Sequence, residues 1–67
     1  MALEAWQLRV IQERAELEER CAGIDAFITS ETFQLITELE QDLLLAQAQA
    51  MMEYSHILTK RIGTFQQ

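Results

Sequence analysis

From Leu3 to Ile28 the apolar residues return every three or four positions, with Leu3, Trp6, Val10, Leu17, Cys21, Ile24, Phe27 and Ile28 along one stripe. That is the spacing of one face of an α-helix, and it predicts a first long helix over about residues 3–28. Written as heptads, the a positions are Leu3, Val10, Leu17 and Ile24, and the d positions are Trp6, Glu13, Arg20 and Phe27, so charged residues fall inside the expected seam. Gly23 costs a helix about 1 kcal/mol relative to Ala, and its presence predicts a kink or a close approach by another backbone.

The run Thr29-Ser30-Glu31-Thr32 follows the apolar pair Phe27-Ile28 and predicts a helix end with a new N-cap at Thr29 or Ser30. A second start signal, Thr37-Glu38-Leu39-Glu40, has the form of a capping box. Between them lies a short corner helix over about 31–35. From Glu38 the helical pattern is unbroken to Gly63, and a second long helix is expected over about 38–65, with Gln66-Gln67 as a frayed end. Its a positions are Leu44, Met51, Leu58 and Phe65, and its d positions are Gln47, Tyr54 and Arg61.

These elements read as one helical domain over 1–67: all-α, an antiparallel hairpin of two long helices with a short corner helix. The triplets Leu43-Leu44-Leu45 and Ala50-Met51-Met52 advance about 100° per residue and coat a wider arc than one partner helix covers. Size sharpens the point. A 67-residue chain buries only about 60% of the surface its unfolded form exposes, and chains this short usually lean on disulfides, a metal or self-association. A single cysteine, Cys21, forms no internal disulfide, and the sequence has no Cys/His cluster of zinc-site spacing. Assembly as a homo-oligomer is therefore expected.

Charge narrows the partners. A net charge of −6 argues against duplex nucleic acid or an anionic membrane, which require a contiguous basic face. The five cations, Arg9, Arg14, Arg20, Lys60 and Arg61, cannot form one, but a small anion needs only one or two, with more supplied by neighbouring subunits. No apolar run approaches the ~18 residues of a membrane span, and the acidic N-terminus does not resemble a signal peptide, so a cytosolic protein is expected.

Arg20 and Arg61 occupy d positions near apolar neighbours and would need anionic partners there. One reading is an interface salt bridge to Glu13 or Glu53; the other is a phosphate-bearing ligand gripped by guanidinium forks from several copies. Trp6 and Tyr54 are candidates for stacking on a nucleobase or for interface anchors. Arg9, three residues after Trp6, makes Trp6 the stronger stacking candidate. Glu53 and His56 have the Glu-x-x-His spacing of carboxylate metal sites, which would need further glutamates such as Glu13 or Glu16; a surface or interface histidine is the simpler reading. Cys21 on the apolar stripe reads as an inert small hydrophobe. With no Gly-rich phosphate loop and no nucleophile pair, no catalytic role, metal or cofactor is expected.

The runs Gln7-Leu8-Arg9-Val10-Ile11, Glu16-Leu17 and Ala26-Phe27-Ile28-x-Ser30-x-x-Phe33 resemble short phage-encoded proteins. The likeness continues through Glu40-Gln41-x-Leu43-Leu44, Gln47, Met51/Met52-x-Tyr54-Ser55-x-Ile57-Leu58 and Arg61-Ile62-x-x-Phe65. Within or close to this group is the anti-CBASS protein 2 family, sponges that sequester the cyclic oligonucleotide signals of a bacterial antiphage defence. The resemblance implies a helical homohexamer in the cytoplasm of the bacterial host, binding cyclic dinucleotides and trinucleotides between subunits without hydrolysing them. That family's dinucleotide pocket uses a tyrosine early in the first helix and a lysine later in it; the nearest equivalents here are Trp6 and Arg20. Arg61 resembles an arginine used for trinucleotides. With Arg9, which stands beside Trp6 on the same helical face, the expected ligand-binding set is Trp6, Arg9, Arg20 and Arg61. The competing reading is a structural or regulatory helical protein with no small-molecule ligand.

Overall fold

The computed structural model describes residues 2–65; Gln66 and Gln67, where a frayed end is expected, lie outside the described residues. Three helices follow in order: α1 (Ala5–Ile28), α2 (Glu31–Leu35) and α3 (Glu38–Gly63). Among the described residues there is no strand. The molecule is a rod 51 Å long and 14 Å across, in which α1 packs chiefly on α3 and touches α2 at one end.

Each helix end has a chemical cause. Glu4 is the N-cap of α1, and its backbone N–H donates to Gln7 Oε1 at 2.7 Å, one half of a capping box that satisfies donors the first turn leaves free. At the other end the hydroxyls of Thr29 and Ser30 donate to the carbonyls of Ala26 (3.1 Å) and Phe27 (2.6 Å). Ser30 is the N-cap residue of α2, but its side chain makes no cap bond to that helix; the hydroxyl instead serves the orphan carbonyls of α1. Thr37 caps α3, its hydroxyl accepting from the Glu40 N–H at 3.2 Å. Gln41 then ties the corner together, its amide donating to the carbonyls of Phe33 (2.8 Å) and Ile36 (3.4 Å).

The core is thin. Among the described residues four side chains are buried, Val10, Leu17, Phe33 and Leu58, and Leu58 is the most completely enclosed at 1% exposure. Val10, Leu17 and Leu58 form one cluster with Cys21, Met51, Ile62 and Phe65 packed against it. In heptad terms these residues are a and e, whereas the sequence pattern suggested a and d. The d residues Trp6, Arg20, Phe27, Gln47, Tyr54 and Arg61 are exposed, and Glu13 is half-buried. The e residues Gln7, Arg14, Cys21, Ile28, Ala48, Ser55 and Ile62 are all half-buried, and the row has none of the aromatic rings that stand at d, which would take up more room between two packed helices.

The outward rows remain apolar in part. Leu43, Leu45, Met52, Tyr54 and Ile57 are all exposed on α3, and Leu35 and Leu39 at the corner are more exposed still, at 83% and 68%. Gly23 does not interrupt α1, and a Cβ built on it meets nothing within 4 Å among the described residues. No neighbour among the described residues requires a glycine there.

Candidate functional site

The packing of α1 on α3 brings the two ends of the chain together. Trp6, on the first turn of α1, meets Phe65, just past the end of α3, with ring centroids 5.2 Å apart and planes at 86°. This edge-to-face geometry sets the positive rim of one ring against the negative face of the other. The turn carrying Phe65 is closed by bonds from the Thr64 hydroxyl to the Arg61 carbonyl (2.6 Å) and from the Phe65 N–H to the Ile62 carbonyl (3.0 Å).

Beside this ring pair is an open depression of about 460 Å³ lined by Trp6, Ile57, Lys60, Arg61, Thr64 and Phe65. Trp6 is 46% exposed, and Lys60 and Arg61 are both exposed on the last turn of α3, where cations also favour the negative end of the helix. The combination is a flat ring next to two cations with an apolar floor. Such a surface suits a ligand that carries both an aromatic plane and an anionic group: the ring stacks, the guanidinium forks onto paired oxygens, and the ammonium adds a point charge.

The four residues singled out from the sequence do not converge on one point within the subunit. Trp6 and Arg61 share the depression, while Arg9 and Arg20 are not among its lining residues. At about 100° per residue, both arginines lie on the same flank of α1 as Trp6. Arg20 is about 21 Å along the axis from Trp6. Both are exposed, so neither needs the internal counter-ion that burial in a seam would demand. Among the described residues the ion pair is Arg14 Nε with Glu18 Oε1 at 3.5 Å. Lys60 is the residue that sequence reasoning left out of the site; its adjacency to Arg61 in the closing turn was the available signal.

The opposite flank has different chemistry. Glu18, Cys21, Asp25, Ser55, His56 and Met52 help line a second depression of about 390 Å³, whose carboxylates repel an anion. Glu53 is exposed, and among the described residues no three His, Cys, Asp or Glu side chains gather as metal ligands. Among the described residues, no helix is long and apolar enough to cross a membrane.

A family model described as Sequestin matches residues 4–64, a span that includes Trp6, Arg9, Arg20, Lys60 and Arg61. An uncharacterised 7.5 kDa protein from the denB-rIIB intergenic region of Enterobacteria phage T4 is 36% identical over 61 residues, covering 91% of this chain and 95% of that protein. No solved structure matches the chain.

Proposed function

The chain belongs to the Sequestin family, and from that premise we propose that it is a phage anti-defence protein that binds and sequesters cyclic oligonucleotide second messengers without hydrolysing them. The observation that carries this reading is the shared depression of Trp6 and Arg61, with Lys60 beside them. Cyclic di- and trinucleotides present bases and phosphodiesters in alternation. A stacking ring flanked by two cations fits one base and its neighbouring phosphate.

One subunit supplies only part of such a grip, because a cyclic dinucleotide or trinucleotide carries two or three phosphate charges and the subunit carries a net −6. The proposed assembly is a homo-oligomer of antiparallel hairpins, a hexamer, in which Arg9 and Arg20 from neighbouring copies complete pockets at the subunit interfaces. The exposed leucines and Met52 are the surface that association would cover, and their burial would contribute about 25 cal/mol per Å². Sequestration then works by mass action: each pocket holds one signal molecule, and free signal falls once pockets outnumber it at concentrations above Kd. No bond is made or broken, so the site needs affinity and copy number and no catalytic group. The proposed place of action is the cytoplasm of the bacterial host.

Calorimetry of the purified protein against a panel of cyclic di- and trinucleotides tests this. Saturable binding, with the ligand recovered intact after release, is expected. An absence of binding across the panel would overturn it and leave a helical interaction protein without a small-molecule ligand.

A further inference from the structure

We infer that Phe65 is a positioning residue for the proposed ligand site: its ring fixes the plane of Trp6 against the apolar core so that a face of the indole is held ready for a base. The inference rests on the sequestration reading and adds to it a residue that need not touch the ligand.

Trp6 alone is poorly placed to be rigid. It stands in the first turn of α1, where helices fray, and it is half exposed. Two features hold it. The Glu4–Gln7 box fixes the backbone of that turn, and the edge-to-face contact with Phe65 at 5.2 Å and 86° fixes the ring. Phe65 is itself anchored, since it packs against the Val10, Leu17 and Leu58 cluster and its backbone is pinned by the bond to the Ile62 carbonyl. A chain of contacts therefore runs from core to Phe65 to Trp6. An aromatic that is already oriented loses less freedom when a base stacks on it, and the saving appears as affinity.

The contact also sets the geometry between ring and cations. Arg61 and Phe65 lie one helical turn apart, and the Thr64 hydroxyl bond to the Arg61 carbonyl closes the turn that links them. Whatever holds Trp6 to Phe65 thus holds it at a fixed offset from the Arg61 backbone.

The single tryptophan of the chain makes the test direct. Phe65→Leu keeps an apolar side chain on the core while removing the ring; Phe65→Tyr keeps the ring. In the ligand-free oligomer, Phe65→Leu is expected to lower the Trp6 fluorescence anisotropy, with helicity by circular dichroism and sedimentation unchanged. Its affinity for the cyclic dinucleotide or trinucleotide that binds the wild type is expected to fall about three- to tenfold, and Phe65→Tyr is expected to match the wild type in both measurements. Wild-type anisotropy and affinity in Phe65→Leu would overturn the inference while leaving sequestration standing. Loss of helicity in Phe65→Leu without recovery of affinity in Phe65→Tyr would also overturn it, by making Phe65 a core residue only. If the wild type binds no cyclic oligonucleotide, the sequestration reading fails and the positioning role fails with it, whatever the anisotropy shows.

Discussion

Trp6 and Arg61, near opposite ends of the chain, line the same depression. Arg61 is exposed there and closes no ion pair among the described residues; its removal therefore strips charge from the site without opening the core. Arg61→Ala is expected to weaken cyclic oligonucleotide binding roughly ten- to hundredfold, the usual worth of a charge-assisted bond. The variant should sediment as the wild type does. Calorimetry and sedimentation on the same sample check both halves, and dissociation of the oligomer would instead make Arg61 an interface salt-bridge residue.

Trp6→Leu removes the stacking plane while keeping an apolar group against Phe65. Base–aromatic stacking is worth about 1–3 kcal/mol per base, so affinity should fall by roughly five- to hundredfold. In the wild type, ligand binding should quench the fluorescence of this sole tryptophan. A titration with no change in emission would place the bound base elsewhere.

What the sequence disclosed and what it hid have a common physical origin. The all-helical class was legible because the apolar spacing of three and four persists through α1 and α3 with no proline to break it. Thr37 was legible as a cap because its hydroxyl acts within four residues. The seam was not. A heptad reading favours the a and d rows, and here d carries the large rings of Trp6, Phe27 and Tyr54 while e mixes Cys21, Ile28, Ala48, Ser55 and Ile62 with Gln7 and Arg14, so the aromatic rings pointed to the wrong row. The helices pack through the a row with Cys21 and Ile62 of the e row, and the d row with its arginines faces outward. The d positions of Arg20 and Arg61 therefore imply a burial that the subunit does not impose. Gln41 was also hidden, because the carbonyls it reaches, on Phe33 and Ile36, become neighbours only when the corner has folded.

Leu58 is the residue on which the subunit depends most, enclosed to 1% exposure in a core with few other members. Leu58→Ala should cost about 2–5 kcal/mol through lost transfer energy and the cavity left behind. For a chain of this size that is most of the available stability. Urea unfolding followed by circular dichroism is expected to show the midpoint falling sharply, with partial recovery at higher protein concentration if association supplies the rest.

Leu43 and Met52 are exposed at 56% and 62%, on opposite flanks of α3 at about 100° per residue. A charge at either position costs the isolated subunit little, since it points into water. In an oligomer that covers the position, the same charge is buried without a partner and opposes assembly. Leu43→Glu and Met52→Glu are each expected to keep helicity at high concentration, and whichever lies in an interface should shift sedimentation toward monomer. Wild-type sedimentation in both would remove the apolar rows of α3 from the assembly.

Gly23 separates subunit from assembly most cleanly. Among the described residues it stands in open space: a methyl group added there would meet nothing within 4 Å, and the backbone is that of an ordinary helix. Gly23→Ala should therefore stabilise α1 by about 1 kcal/mol, through the lower conformational entropy of the unfolded chain and better helix propensity. That gain holds only if no second copy packs its backbone against the glycine. If one does, the added methyl would force the two helices apart, and the variant would gain helicity as a subunit while losing association. Thermal unfolding across a range of protein concentrations distinguishes the two: a parallel rise in midpoint at every concentration marks Gly23 as solvent-facing in the assembly, and a midpoint that rises when dilute but falls below wild type when concentrated marks it as a contact between copies.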